Sequence, residues 1–175
     1  MDPDLTLHRL TESDKQQIDP WFDDPEVIRR LDTRLCICTF LATPGTETDD
    51  GMTVLSTHKW TARDPGGTPV AFIAGEVYDR WQPTGDFDAA ASPADETPRR
   101  SMVLLYVVDP ARHGFGYGRT TVKAVLACAD VADVEDFYCP IAADHPASQG
   151  IALAAGFRFI GSSRGKTMRH YRYRR

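Results

Sequence analysis

The stretch Tyr106-Val-Val-Asp-Pro-Ala-Arg-His-Gly-Phe-Gly-Tyr-Gly-Arg119 constrains this chain more than any other segment. A β-branched run breaks at Asp109-Pro110, crosses three alternating glycines and opens a segment in which Val122, Val125, Leu126 and Ala129 recur at helical spacing. Gly114, Gly116 and Gly118 remove Cβ atoms where a backbone must bend tightly or approach a ligand closely. A helix that starts there points its unpaired N–H groups, and the positive end of its dipole, back into the loop. Strand, glycine loop and helix N-terminus together predict a site for a phosphate or pyrophosphate. Two commoner cradles do not fit. A nucleotide P-loop needs Gly-Lys-Ser/Thr, and Gly118-Arg119-Thr120 lacks the lysine. A dinucleotide fingerprint belongs to the first βαβ unit and has an acid about 20 residues further on, whereas this loop lies two-thirds along the chain.

The remaining sequence predicts a mixed α/β sheet. Leu5 to Leu10 reads as a first strand, and Thr11-Glu-Ser-Asp14 as a capping-box-like start of a helix reaching about Phe22. Asp24-Pro25-Glu26 starts a second helix, with Asp as N-cap and Pro at its first position. Leu35 to Leu41 is apolar and β-prone. Val54 to Ala62 and Pro69 to Val77 read as strands around the turn Asp64-Pro-Gly-Gly67. Ser101 to Val108 is a continuous apolar strand, for which burial on both faces is expected. After the glycine loop and its helix come a strand from Phe137 to Ala142 and a short helix from Pro146 to Ala155. Gly156 follows that helix, and two closing strands complete the chain. The sum is about seven strands, mostly antiparallel, and about four helices. Only Arg80 to Arg99, with four prolines or glycines and several acids, lacks any periodicity and reads as a long loop insert.

At 175 residues and 42% hydrophobic content, the chain is expected to form one domain spanning 1–175. Met1-Asp-Pro-Asp-Leu-Thr has neither the basic nor the apolar region of a secretion signal. No apolar run approaches the roughly 20 residues that span a bilayer. The four cysteines show no disulfide or zinc spacing and read as reduced thiols. A cytoplasmic location without membrane contact is therefore expected. Net charge is −5, yet the last twelve residues carry six Lys/Arg and no acid, leaving 14 bases against 25 acids, or −11, on the body. Such a body disfavours nucleic acid and suits a cationic partner such as an amine. The basic tail reads as the solvated face of a final strand.

Three segments together resemble the Gcn5-related N-acetyltransferase (GNAT) superfamily. Val108-Asp-Pro110 followed by His113-Gly-Phe-Gly116-Tyr-Gly118 is similar to its acyl-CoA motif, Arg/Gln-x-x-Gly-x-Gly/Ala after a Val-x-Pro strand end. His145-Pro-Ala-Ser148, leading a short helix that ends at Gly156-Phe157, resembles its second motif, Asn-x-x-Ser/Ala. At the N-terminus, Leu5-Thr-Leu-His-Arg-Leu-Thr-Glu-Ser-Asp14 and Trp21-Phe-Asp-Asp-Pro-Glu-Val27 resemble the ribosomal-protein N-terminal acetyltransferases. Spermidine and aminoglycoside N-acetyltransferases share much of the layout.

The resemblance implies that the strand ending at Val108 splays from the one around Phe137–Ala142, with acetyl-CoA in the gap as co-substrate and no metal. Its pantetheine arm would pair with the backbone of Tyr106, Val107 and Val108. Its pyrophosphate would meet the N–H groups of Gly114, Phe115, Gly116, Tyr117, Gly118 and Arg119. His113 stands where relatives carry Arg or Gln, a loss of charge for which Arg112 and Arg119 are expected to compensate; His145 stands in place of the motif's Asn. Transfer to an amine needs a base, an oxyanion site and a partner for the departing thiolate. Glu76 is the expected base and part of the acceptor site, ahead of Tyr78 and Asp79. The Tyr106–Val107 backbone is the expected oxyanion donor. Many relatives use a Tyr in the second-motif helix as the acid; here that position is Ala152, and Ser148 matches the Ser of the ribosomal-protein branch. Trp21 is the foremost candidate for an aromatic acceptor wall, with Trp60 and Trp81 behind it. The expected activity is acetyl transfer to a primary amine, either a protein N-terminus or a small amine of the aminoglycoside or polyamine type, by a monomer or homodimer. A non-catalytic acyl-CoA-binding module is the alternative from another class.

Overall fold

The structure, a computed structural model, describes residues 2–31, 41–83, 87–89, 97, 99–163, 165 and 167–175. The β-prone stretch from Leu35 therefore lies, up to residue 40, outside the described residues, as does most of the 80–99 insert. The elements run β1 (Thr6–Arg9), α1 (Glu12–Ile18), α2 (Pro25–Leu31), β2 (Val54–Arg63), β3 (Pro69–Tyr78), β4 (Phe87–Ala89), β5 (Ser101–Val108), α3 (Tyr117–Leu126), β6 (Asp136–Ala142), α4 (Pro146–Ala154), β7 (Arg158–Ser163) and β8 (Met168–Arg174). They form one mixed sheet in the order β1-β2-β3-β5-β6-β8-β7-β4, with seven longer strands and the three-residue β4 on the far edge. That short strand sits inside the insert and pairs with β7, so the insert holds structure its sequence does not signal. Its three residues give no period to read.

Local chemistry explains most boundaries. Thr11 accepts from the Asp14 N–H while the Asp14 carboxylate takes the Thr11 N–H, which closes the capping box on α1. Asp24 Oδ1 accepts from the N–H groups of Glu26 and Val27 at the head of α2. The helix read through Phe22 ends as an α-helix at Ile18, and a 3₁₀ segment over Asp19–Asp23 takes over where Pro20 withholds its N–H. At the end of α4, Phe157 N–H returns to Ala152 O and Gly156 N–H to Leu153 O, a Schellman closure.

Helices cover both faces. On one side Trp60, Ile73, Met102, Leu104, Phe137 and Cys139 pack against Val122 and Val125 of α3 and Ala152 of α4. On the other, Phe72, Ala74 and Val107 pack against Ile18, Phe22 and Val27 of the N-terminal helices. Alternate residues of β3 thus serve opposite cores, and Pro69 to Gly75 is buried without interruption.

One pairing departs from the rest. All neighbouring strands run antiparallel except β5 and β6, which are parallel and pair only at Ser101↔Asp136, Met102↔Phe137 and Val103↔Tyr138. Beyond Val103 the two strands diverge, while β5 stays paired with β3 as far as Val108↔Ala71. Double-sided burial of β5 consequently fails past the divergence. Leu105, Tyr106 and Val108 are only half-buried, because the strand that would cover that edge has turned away.

Candidate active site

The divergence opens a cleft of about 1010 Å³ that passes between the two faces of the sheet. Its walls come from Val103 to Val108 of β5, Cys139 to Ala142 of β6, the loop from Arg112 to Arg119, the first half of α4, and Glu26, Val27, Arg30 and Leu31 of α2. Of the residues singled out in the sequence, Glu76, Tyr106, Val107, Val108, His113, Gly114, Phe115, Gly116, Tyr117, Gly118, Arg119, His145 and Ser148 all line it. Trp21 does not. It is half-buried among Ile18, Phe22 and Phe72 beneath the N-terminal helices. Trp60 is buried in the other core, and Trp81 lies against the Tyr138 ring with centroids 4.5 Å apart.

The three glycines of the loop answer to different needs. Gly114 and Gly116 hold φ of +85° and +86°, a left-handed backbone that other residues reach only at a cost. Gly118 is an ordinary helical residue. A Cβ there would come within 2.6 Å of Ile151 Cδ1 and 3.1 Å of Val108 Cγ2, so this glycine lets α3 sit tightly against both α4 and the end of β5. Gly116 is the N-cap of α3, and its carbonyl accepts from Thr120 N–H at 3.2 Å. The N–H groups of Tyr117, Gly118 and Arg119 therefore make up the open first turn, facing the cleft with the positive end of the helix dipole. Phe115 stands at the loop tip, 69% exposed. His113 is exposed, with its Nε2 lying 3.3 Å from the Val108 carbonyl and tying the loop to the strand.

The charge expected from Arg112 and Arg119 is already engaged. Arg112 pairs with Asp64 at 3.1 Å and Asp109 at 3.8 Å, and Arg119 pairs with Asp2, which also takes Lys123 at 3.1 Å. Neither arginine stands as a free cation beside the loop, so backbone N–H groups and helix dipole are left as the main attraction for an anion. The sequence could not reveal this, since Asp2 and Asp64 are remote from the loop along the chain.

Ser148 is the third residue of α4 and is 8% exposed. It does not cap the helix. Its Oγ lies 2.7 Å from the Tyr106 Oη, and the Tyr106 hydroxyl also lies 3.0 Å from the Ser148 carbonyl. Burial, reinforced by nearby Cys139, pushes the Tyr106 phenol well above its usual pKa, so it keeps its proton. Burial likewise holds the Cys139 thiol in its neutral form, which makes it a poor nucleophile. Ala152, where a helix tyrosine would stand in many relatives, is fully buried and brings no proton donor. His145 precedes α4 without bonding to it through its side chain, and burial followed by the Arg30 charge lowers its pKa. Gln149 gave no sequence signal. Its amide donates to the carbonyls of Ala142 and Ala143, and its Oε1 accepts from Arg169 at 2.9 Å, which pins the start of α4 to the diverged end of β6.

Glu76 lies across the sheet from Tyr106, on the face of the N-terminal helices, opposite Val103 where the strands part. Its Oε1 accepts from the Ala42 N–H at 2.6 Å and its Oε2 from the Tyr78 hydroxyl at 2.5 Å. Both oxygens are fixed in place and each retains a lone pair. Glu26, the other carboxylate of the cleft, is occupied by Arg29 and Arg30, which together reach Asp144 before α4. This network straps α2 to the far wall of the cleft.

The strap has a pH dependence of defined sign. Hydrogen bonds from Arg29 and then Arg30 lower the Glu26 pKa from 4.5 to about 2. A depressed carboxylate contributes its stability fully above the unfolded value and loses it as pH falls toward the folded one. Glu26→Gln should therefore melt below the wild type at pH 7, with the gap closing between about pH 4.5 and pH 2. Added salt should narrow it at neutral pH, because the pairs are exposed. Thermal melts of both proteins across that range check this.

Among the described residues no group of three or more His, Cys, Asp or Glu side chains is arranged to hold a metal ion, and no helix is long and apolar enough to cross a membrane.

Comparison with known proteins points the same way as the geometry. The model of the acetyltransferase (GNAT) domain matches residues 4–158. No curated protein matches the chain. Solved structures do. An aminoglycoside acetyltransferase AAC(6')-Ib in complex with coenzyme A superposes with a TM-score of 0.69 at 14% identity, covering 98% of this chain and 95% of that one. The spermidine N-acetyltransferase of Vibrio cholerae, in complex with CoA and spermine, gives 0.61 at 13% identity, covering 96% and 92%. An aminoglycoside N(6')-acetyltransferase from Legionella pneumophila gives 0.63 at 15% identity, covering 98% and 91%. At these identities the likeness is one of fold.

Proposed function

This chain belongs to the acetyltransferase (GNAT) domain family, and on that premise we propose that it transfers the acetyl group of acetyl-CoA to a primary amine by direct attack within a ternary complex. The observation that carries the reading is the meeting of two features in one cleft: the unpaired edge of β5 beyond Val103, and the open first turn of α3. The first suits an extended amide-bearing arm that adds itself as a strand, the second a pyrophosphate.

Each residue then has a task. The backbone of Tyr106 to Val108 holds the pantetheine arm, and the N–H groups from Gly114 to Arg119 hold the phosphates, with His113 bracing the loop. His145 and Ser148 close the far wall. Glu76 removes a proton from the acceptor ammonium, which is mostly protonated and so unreactive at neutral pH whether it is an α-amino group with a pKa near 8 or an alkylamine with a pKa near 10. Its nitrogen attacks the thioester carbonyl from the α2 side of the sheet. The oxyanion is received by backbone N–H of Tyr106–Val107. The C–S bond breaks, and Ser148 Oγ–H donates to the departing thiolate. Burial keeps Cys139 neutral, so among the described residues lining the cleft none offers a reactive thiolate for a covalent relay.

The acceptor follows from charge. The cleft lining contains two carboxylates among the described residues, and Glu26 is already neutralised by two arginines. Glu76 alone remains to receive an ammonium, which suits a single α-amino group or a monoamine better than a polycation. A protein N-terminus is therefore the leading acceptor class, in keeping with the N-terminal resemblance to ribosomal-protein acetyltransferases. Polyamines and aminoglycosides are the second class, supported by the fold likeness to enzymes solved with spermine and with kanamycin.

Release of free CoA from acetyl-CoA tests the reading against a panel of a short peptide with a free N-terminus, spermidine and kanamycin. Turnover is expected to be fastest with the peptide, with a KM that changes little with salt. A strongly salt-sensitive KM on spermidine or kanamycin would move the acceptor to the second class. Tight binding of acetyl-CoA with no acceptor-dependent release would instead identify an acyl-CoA-binding module.

A further inference from the structure

We propose that Tyr106 is a positioning residue whose side chain controls the donor of Ser148, so that a two-hydroxyl chain from β5 through α4, rather than an isolated serine, receives the leaving thiolate. This rests on the reading of Ser148 given above, and goes beyond it by assigning work to a phenol where only the Tyr106 backbone was expected to act.

Proton counting carries the argument. Two hydroxyls bring two protons to three oxygens: Tyr106 Oη, Ser148 Oγ and the Ser148 carbonyl, with Oη 2.7 Å from Oγ and 3.0 Å from the carbonyl oxygen. A carbonyl only accepts. Both contacts are hydrogen bonds only if Tyr106 O–H donates to the carbonyl and Ser148 Oγ–H donates to Tyr106. At rest, then, the Ser148 proton is parked on the phenol. A serine in the first turns of a helix would otherwise turn its hydroxyl to the carbonyl four residues back, here that of Asp144. Tyr106 keeps it facing the cleft.

When the C–S bond breaks, its electron pair goes to sulfur, and the surplus proton on nitrogen goes to Glu76, which by then has passed the first proton of the ammonium to solvent. Ser148 Oγ–H then rotates to the thiolate, and Tyr106 O–H rotates from the carbonyl to Oγ across the same 2.7 Å. The result is a chain Oη–H→Oγ–H→S⁻, in which the outer hydroxyl polarises the inner one. No proton leaves either side chain, since burial keeps the phenol protonated; the thiolate is protonated by solvent on release. The position fits this task. Tyr106 stands three residues beyond Val103, the last residue of β5 paired with β6, which is about 10 Å into the gap. It faces α4 from the strand opposite Cys139.

The test is the ultraviolet absorbance of the thiolate in the complex with CoA, titrated with pH, alongside kcat. Tyr106→Phe keeps the ring, Ser148→Ala removes the inner hydroxyl, and the double variant closes the cycle. In the wild-type complex the CoA thiol should ionise at lower pH than in free CoA. Both single variants should raise that midpoint and lower kcat roughly ten- to hundredfold with acetyl-CoA affinity unchanged. The double variant should be no worse than Ser148→Ala alone, because Tyr106 acts through it. Tyr106→3-fluorotyrosine, nearly the volume of tyrosine and a stronger donor, should shift the midpoint downward, and serves if the Phe variant is unstable. An unchanged thiol titration in Tyr106→Phe, or losses that add in the double variant, would overturn the proposal while leaving Ser148 in place. A silent Ser148→Ala would remove the serine from the mechanism, and the proposal with it.

Discussion

Replacing Glu76 by Gln is expected to lower kcat about a hundredfold, the low end of what a positioned general base supplies. At pH 7 an α-ammonium with a pKa near 8 is free base to about one part in ten, and an alkylammonium with a pKa near 10 to about one part in a thousand; the attacking nitrogen must also shed a second proton as the amide forms, so proton removal is a real share of the barrier. Glutamine is a clean probe here. Its carbonyl oxygen can still accept from the Ala42 N–H, and its amide can donate to the Tyr78 oxygen that donated before. The side chain keeps its place while losing charge and basicity. KM for the amine should rise, and acetyl-CoA affinity should stay as it was. Steady-state kinetics on both substrates, with a binding titration of acetyl-CoA, measures all three. If kcat survives the substitution, Glu76 serves only to anchor the Ala42 backbone and the Tyr78 hydroxyl, and the proton leaves by water.

What was legible in the sequence is what depends on near neighbours. The capping box of Thr11 and Asp14, the Asp24 cap, the Asp64-Pro-Gly-Gly67 turn and the Gly156 closure are each written within a few residues, and each stands where it was read. The strand and helix order follows from hydrophobic period in the same way. Pairings across the chain were not legible. Gly118 looked like one more loop glycine, but its reason is Ile151, thirty-three positions later. Arg112 and Arg119 looked like free cations until Asp64 and Asp2 met them. The Tyr106 hydroxyl went unread because a tyrosine within Val-Leu-Leu-Tyr-Val-Val looks like filler for an apolar strand. A buried phenol needs a partner, however, and a serine in the helix that packs over that strand supplies it. Trp21, whose local resemblance suggested an acceptor wall, lies outside the cleft lining and packs against the cluster of Ile18, Phe22 and Phe72.

The glycine loop gives the other large effect. The double variant Gly114→Val/Gly116→Val is expected to weaken acetyl-CoA binding by about 30- to 1000-fold, since holding a valine in the left-handed region costs about 1–2 kcal/mol at each position and every 1.4 kcal/mol is tenfold in affinity. Valine is the right replacement because a β-branched residue is least tolerated at positive φ. The two positions differ in surroundings. A Cβ at Gly114 would meet nothing within 4 Å, so its cost is purely that of the backbone, whereas at Gly116 it would also approach Pro3 Cδ at 3.2 Å. Either way the loop must relax, and relaxation turns the N–H groups of Tyr117 to Arg119 away from a common point. Arg112 and Arg119 are held by carboxylates, so neither stands as a free cation ready to compensate. Acetyl-pantetheine, which has the thioester and arm but no nucleotide or pyrophosphate, separates this from a general loosening of the cleft. Calorimetry should show the variant losing most of its affinity for acetyl-CoA, while its kcat/KM on acetyl-pantetheine stays near that of the wild type. Equal losses on both ligands would mean that the glycines shape the β5 edge rather than hold phosphate, and that the phosphates are bound elsewhere.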